Sequence, residues 1–368
     1  VQHEPASIPA TQVVARYRLP LMSGGINDFS GIATPDGNTI YMVSDHGFIV
    51  GARLQRGYGQ RIEGMEIRQV ALLNDENGHP LLGSMRDAEG VTIGRDGRLY
   101  VSFEQHNRVL RYARLGGAGE DLGAHVDFAR LRAGRGLEAV AVAPDGRLYA
   151  IPERPARATY GFPSYVWSPR SGWGDGFRLP MDLQFLPVGA SFGPDGMLYV
   201  LEREHGPRGF RSQVRRFTVN GEGISAGQWV MRSDYGQFGN LEGISVFRDW
   251  NGRIRLLMVS DDDLQTGPSE LVDVVMAACR TETVDARVGA MLVADHGDYV
   301  GIVSEADLVR KAMASGASSE QMTVRSVMSA PIMTIDIAQS AHEASDVMAE
   351  RGIRHLVITE EGRVVGMI

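Results

Sequence analysis

Short apolar runs, each broken by an Asp-Gly or related turn and followed by a second run, dominate the first two-thirds of the chain. The pattern reads SGIATPDGNTIYMVSD from Ser30, EGVTIGRDGRLYVSFE from Glu89 and EAVAVAPDGRLYAIPE from Glu138. It returns as VGASFGPDGMLYVLER from Val188 and EGISVFRDWNGRIRLLMVSD from Glu242. The starts lie 59, 49, 50 and 54 residues apart. Glycine takes positive φ without strain, so the Asp-Gly pairs at Asp36, Asp96, Asp145 and Asp195 predict hairpin turns. A repeat of about 50 residues built from strands predicts a β-propeller. A β-sandwich or a solenoid would also carry such strands, but the regular spacing favours the propeller. Five units are visible, and the early strand Val13–Leu19 predicts a sixth blade closed by the C-terminal strand. The expected fold is an all-β propeller of 5–6 blades followed by an α/β module.

After residue 263 the period changes. Glu270–Arg280 reads as a helix, with Leu271, Val274, Val275 and Ala278 on one face. Strands follow at Ala290–Ala294 and Tyr299–Val303 around a His296-Gly297-Asp298 turn, then a helix at Ser304–Ala314 with Ser304 as its N-cap. A second copy runs as strand Ile332–Ile335, helix Ala341–Arg351, strand His355–Thr359 and strand Val364–Ile368. The expected domains are residues 1–263 and 264–368, the latter divided into copies at 264–318 and 319–368.

Charge follows this division. Of the 368 residues, 1–263 hold 29 basic and 30 acidic side chains, net −1, and 264–368 hold 8 and 15, net −7. All four tryptophans lie in the first part; the one cysteine, Cys279, and the one lysine, Lys311, lie in the second. A net charge of −8 argues against a general nucleic-acid binder, which needs a basic face. One cysteine excludes an intrachain disulfide and a cysteine-based zinc site. With no run of 18 apolar residues, no membrane-spanning helix is expected. Val1–Pro9 lacks a basic and apolar leader, so an export signal, if the protein is exported, precedes Val1.

Aligned repeats bring out two rings. The first position of each unit is Ser30, Glu89, Glu138, Val188 or Glu242. The position four after the second-strand Tyr, or after Leu257, is Asp45, Glu104, Glu153, Arg203 or Asp261. Equivalent positions in a propeller circle its axis, so these acids are expected to converge on one funnel. Carboxylates that close repel one another unless a cation or an arginine joins them. Glu89, Glu138, Glu242 and Asp261 are therefore expected to hold Ca²⁺ or another divalent cation. Ser30, Asp45, Glu153, Arg154, Glu202 and Arg203 are expected to contact substrate, the arginines by gripping an anionic group. The competing reading is that these acids satisfy backbone amides between blades. Gly189-Ala190-Ser191-Phe192-Gly193 matches the G-x-S-x-G elbow of serine hydrolases, but that motif needs a strand, a sharp turn and a helix. Ser191 instead falls within the first strand of a repeat. The histidines show no His-x-x-x-His spacing for zinc.

Ser30-Gly31, Asp87-Ala88-Glu89-Gly90, Arg135-Gly136-Leu137-Glu138, Ile151-Pro152-Glu153, Leu201-Glu202-Arg203, Leu241-Glu242-Gly243 and Val259-Ser260-Asp261-Asp262 resemble the esterase-like phytase family of exported bacterial proteins. The resemblance covers nearly all of residues 12–263. It implies a propeller-type fold, a periplasmic or secreted location, and phosphoester or ester hydrolysis assisted by a metal. The family looks to continue past its Ser-Asp-Asp segment into a closing strand. Here Leu264-Gln265-Thr266-Gly267-Pro268 follows, so an unclosed blade is expected.

Tyr299–Val309, with Val327-Met328, Asp346–Glu350 and Val364–Ile368 in the second copy, resembles a pair of CBS domains. The resemblance implies adenine-nucleotide binding, with Ser304 offering a hydroxyl toward phosphate and Asp307 a carboxylate toward ribose, and homodimerisation. The physics fits, since a helix N-terminus attracts phosphate. The competing reading makes Ser304 a cap and Asp307 a first-turn acid favoured by the helix dipole. Relative to the family, both outer ends of the pair are missing. CBS pairs sense cytosolic nucleotides, whereas the propeller points to an exported protein. The two halves are therefore expected to originate from separate proteins, with a natural fusion as the alternative. Three functions follow as expectations: a metal-assisted phosphoesterase, a non-catalytic ligand- or ion-binding propeller, and a regulatory nucleotide sensor.

Overall fold

The computed structural model describes residues 11–20, 26–132, 134–156, 160–182, 184–221, 223–261, 268–276, 290–295, 298–304, 307, 323–360 and 363–368. It divides into two compact units, Val1–Arg280 and Thr281–Ile368.

The first unit is a five-bladed propeller, each blade a four-stranded antiparallel sheet. Phe29–Ala33, Thr39–Ser44, Phe48–Arg56 and Ile62–Leu72 form the first blade. The second comprises Ala88–Ile93, Leu99–Phe103, Arg108–Tyr112 and Gly119–Asp121. Leu137–Val142, Leu148–Pro152, Phe162–Ser168 and Gly172–Leu179 make the third. In the fourth, Leu186–Phe192, Leu198–Gly206 and Gly209–Phe217 are joined by Gln228–Arg232. The fifth takes Asn240–Arg248, Ile254–Asp261 and Glu270–Met276, and its outer strand is Thr11–Arg18 from the start of the chain.

That fifth blade corrects four expectations. Among the described residues there is no sixth blade; the early strand closes the fifth. Glu270–Met276 is a strand, paired with Ile254–Asp261 on one side and Thr11–Arg18 on the other. Its Val272, Val274 and Val275 are β-branched and suit a pleated, buried surface. Blade closure is complete, and the change of module expected after residue 263 falls inside this blade.

Five apolar clusters hold the ring, one at each seam between neighbouring blades. The seam between the last and first blades joins Leu257 and Leu271 to Ile32, Ile40 and Met42. In each unit Asp36, Asp96, Asp145, Asp195 or Asp249 accepts backbone N–H groups of its own hairpin turn. The inner strands approach so closely that a Cβ on Gly90 would lie 2.5 Å from the Glu138 carbonyl oxygen. Glycine is what admits that contact.

In the second unit, the strands Ala290–Asp295 and Asp298–Ser304 pair as a hairpin. Thr334–Asp336 and Val357–Glu360 are parallel, joined through the helix Ala341–Arg351, and Arg363–Met367 pairs antiparallel to the second. Ser340 and Glu343 form a capping box at the start of that helix, and Gly352, with φ of 63°, ends it. Ile335, Ala344 and Leu356 form its core. This is the α/β CBS-type region that follows the propeller. His296 and Gly297, most of the Ser304–Ala314 helix, the segment Leu264–Gly267 and Cys279 lie outside the described residues. No helix among the described residues is long and apolar enough to cross a membrane.

Candidate functional site

One local device builds the funnel. In every blade the pairing of the first two strands slips at the first position of the repeat. Phe29 pairs with Ser44 and Gly31 with Val43, which leaves Ser30 as the extra residue. The same bulge leaves out Glu138, Val188 and Glu242, and falls at Glu89-Gly90 in the second blade. A bulge re-aims its extra side chain. Repeated five times around an axis, it directs one residue per blade inward. Along each second strand or just past its end, Asp45, Glu104, Glu153, Arg203 or Asp261 stands opposite Asp28, Asp87, Gly136, Leu186 or Asn240.

The carboxylates are not spread evenly. Asp87, Glu89 and Glu104 place one oxygen each within 4.8 Å of one another. Asp28, Asp45 and His46 do the same beside them. His46 Nε2 lies 2.7 Å from Asp28 Oδ2 and Nδ1 lies 3.5 Å from Asp45 Oδ1. Glu89 is 8% exposed, and its carboxylate has no hydrogen-bond or ion-pair partner among the described residues. Burial, then the charges of Glu242, Glu104, Asp87 and Asp45, push its pKa well above the usual range. Glu138 is raised in the same way by burial and by Glu89, Glu104, Glu153 and Glu242. Glu104 rises through burial, while hydrogen bonds from Gly136 N–H and with Glu138 hold it back. Asp45 is pushed up to about 6, chiefly by burial.

On the far side the ring changes sign. The fourth blade contributes Val188 and Arg203 where the second, third and fifth blades carry acids at both positions. Arg203 Nη1 donates to Asn240 Oδ1 at 2.7 Å and to Glu242, and Nη2 donates to Glu153 Oε1 at 3.3 Å. Burial works against its charge, but Glu242, Glu138 and Glu153 raise its pKa. Asn240 Nδ2 also donates to Glu242 Oε1, at 2.8 Å. Arg154 is half-exposed, 3.9 Å from Glu153.

The expected residues therefore separate. Of the four expected cation ligands, Glu89 belongs to a three-carboxylate group, in the company of Asp87 and Glu104. Glu138 adjoins that group, Glu242 is engaged by Arg203 and Asn240, and Asp261 sits in register with Asn240. Ser30 is buried beside the axis. Glu202 is a correction: it is fully buried and accepts from Arg215 Nε at 2.6 Å and Gln213 Nε2 at 2.9 Å. Successive strand residues face opposite ways, so Arg203 in the funnel turns Glu202 out of it. Asp28, Asp87 and His46 were missed, although Asp two residues before the first position recurs in units one and two. Ser191 accepts from Val246 N–H at 3.0 Å within a strand and forms no nucleophile elbow.

In the second unit Ser304 and Asp307 engage each other. Ser304 Oγ donates to Asp307 Oδ2 at 2.7 Å, and Asp307 N–H donates back to Ser304 Oγ at 3.1 Å. Ser329 Oγ donates to Asp307 Oδ1 at 3.3 Å.

Comparison with known proteins places both units. The CBS-domain model matches residues 324–368. An uncharacterized protein of Methanopyrus kandleri is 29% identical over 83 residues, 22% of this chain and 42% of that protein. The chain thus spans less than half the length of that curated relative. A CBS-domain-containing protein from Agrobacterium tumefaciens is 31% identical over 22% of this chain and 64% of its own, with a TM-score of 0.21. A gluconolactonase from Xanthomonas campestris is 15% identical over 75% of this chain and 99% of its own, with a TM-score of 0.41. The family model described as phytase-like, esterase-like activity of phytase, matches residues 24–264, well over half of the sequence, and the chain belongs to that family.

Proposed function

We propose that the funnel is a hydrolytic centre for a phosphoester or ester, assisted by a hard divalent cation such as Ca²⁺. The observation that carries this reading is Glu89: a carboxylate nine-tenths buried, without a partner among the described residues, in the company of other acids. Such a group is costly to keep charged unless a cation joins it. An all-oxygen set from Asp87, Glu89 and Glu104 suits a hard ion, with Glu138 alongside. When bound, the cation would neutralise these acids and acidify a water. The chain's own groups supply the rest. Arg203 is held in place by Glu153, Asn240 and Glu242 and gives the funnel one cationic wall. Arg154 at the rim is free enough to meet an anionic substrate. Asp45, protonated below about pH 6, is placed to exchange a proton near neutrality.

Calcium titration by calorimetry, paired with hydrolysis of p-nitrophenyl phosphate, its diester and p-nitrophenyl acetate, tests this. Glu89→Gln should lower both cation affinity and turnover at least tenfold. Unchanged values for both would sink the proposal. Tight calcium binding without turnover on any ester would instead support a non-catalytic ion-binding propeller. Ser191 lies within a strand and forms no nucleophile elbow, which argues against serine chemistry in either reading.

For the CBS-type region we propose adenine-nucleotide binding at Ser304 and Asp307, with homodimerisation. The mutual hydrogen bonds of this pair hold both groups at one strand end. Titration with AMP, ADP and ATP should give saturable heat that Asp307→Ala removes; no heat with any of the three would reject it. A periplasmic or secreted location for the propeller, and a cytoplasmic one for a CBS pair, remain proposals tested by fractionation. Intact mass tests the origin of the halves, a fused chain giving 40.1 kDa.

A further inference from the structure

At the end of the propeller axis away from the acidic funnel, the first strand of each blade enters its hairpin turn. There the five blades surround a cavity of about 740 Å³, walled by Ile93, Val142, Phe192, Val246 and three prolines. It narrows inward to a neck of about 70 Å³. Beyond the neck the inner strands close on the axis and leave only about 10 Å³, roughly the space of one water. The neck and the acidic funnel are therefore separate chambers.

The neck carries an ordered set of donors. Thr92, Ser191 and Ser245 occupy the same register position in the second, fourth and fifth blades, and all three line it. Each hydroxyl oxygen accepts a backbone N–H from the next blade: Val142 onto Thr92 at 3.4 Å, Val246 onto Ser191 at 3.0 Å, and Thr34 onto Ser245 at 3.0 Å. None of the three donates its own proton to another described residue. By contrast, Thr34 Oγ1 donates to the Thr39 carbonyl at 2.6 Å and is satisfied. Three hydroxyl protons, on buried Ser245 and half-buried Thr92 and Ser191, thus face one constriction without an acceptor among the described residues.

The wall of this mouth carries two cations and one anion, Arg95, Arg248 and Asp195. The aspartates of the surrounding turns are consumed by their own hairpins; Asp195 also accepts from Tyr199 Oη at 2.8 Å and lies 3.8 Å from Arg216.

We infer that this chamber is a second binding site, for a small organic carboxylate. Its oxygens would meet the hydroxyls of Thr92, Ser191 and Ser245, and its apolar body would lie against Ile93, Val142 and Phe192. The chamber's size matches ordinary small-molecule pockets, which run from about 300 to 1,000 Å³. The site is independent of the funnel's chemistry.

Calorimetry on the full chain with sodium benzoate and sodium octanoate tests it, with inorganic phosphate as control. One saturable event per chain is expected for at least one carboxylate, with phosphate far weaker. The double variant Thr92→Val with Ser191→Ala should weaken it at least tenfold, and Val142→Glu should abolish it. Ser191→Thr, which keeps the hydroxyl, should restore most of the affinity, and Glu89→Gln should leave it unchanged. Thermal unfolding of each variant shows that the propeller is intact. No saturable binding of either carboxylate overturns the inference. So does equal binding of phosphate, or affinity untouched by both Val142→Glu and the double variant.

Discussion

Arg56, at the end of the third strand of the first blade, donates to Asp273 Oδ2 of the fifth blade at 2.5 Å, across the seam where the ring closes. Asp273 is fully buried and also receives Arg255, whose Nε lies 2.9 Å from Oδ1. One carboxylate therefore balances two buried guanidinium groups. Asp273→Ala would leave Arg56 uncompensated and Arg255 with only Asp249, 3.9 Å away, and breaking a buried pair costs about 3–5 kcal/mol. Urea unfolding should show a loss of that size, with fluorescence of the propeller tryptophans as the probe. A loss under 1 kcal/mol would mean that this seam is not closed as described.

Glu89 and Glu202 should respond in opposite directions. Glu202 is matched by Arg215, so Glu202→Ala should cost about 3–5 kcal/mol and leave calcium affinity alone. Glu89 is unmatched, so Glu89→Gln should raise the stability of the cation-free chain while calcium affinity falls. Thermal melts with and without calcium read both effects. A Glu89→Gln chain less stable than the parent without calcium would assign Glu89 to the scaffold.

Acid should stabilise the cation-free propeller. A carboxyl whose folded pKa is raised favours the folded state while protonated. For Asp45 that contribution is full below pH 3.8 and is lost as pH rises through about 6. Glu89, Glu138, Asp87 and Glu104 shift in the same direction. Without cation, the melting temperature should thus fall as pH climbs from about 4 through 6. Calcium should reverse that fall, adding about 2.7 kcal/mol at a hundred times its Kd. A calcium shift larger at pH 5 than at pH 8 would contradict the shared use of these carboxylates.

Gly90→Ala should harm the site without touching a carboxylate. The new Cβ would sit 2.5 Å from the Glu138 carbonyl oxygen and 2.9 Å from Ser102 Oγ. Overpacking of this kind costs about 1–3 kcal/mol. Because Gly90 shares the bulge with Glu89, calcium affinity should also drop several-fold by calorimetry. Unaltered stability would show that the inner strands have room to separate.

Much of the ring was legible because the repeats mark equivalent positions: aligning five first residues picks out the positions that converge on the axis, though not the bulge that turns them there. The failures have specific causes. Leu271, Val274 and Val275 fit a helical face with Ala278 as well as a fully buried strand with Val272, and periodicity alone does not separate the two. Glu202 was placed with Arg203 although neighbours on a strand face opposite ways. Asp87 was overlooked because only two of five units carry an acid there. Which carboxylates would lack partners depended on where Arg203 reached, a long-range fact with no local signature.

The closing strand has a mechanical consequence. Glu270–Met276 is hydrogen-bonded along both edges, to the chain's beginning on one side and to Ile254–Asp261 on the other. Tension applied at Met276 along the strand's own axis would load both ladders along their length, so their bonds must yield together instead of one at a time. A module attached after that strand can be tugged without peeling the ring open.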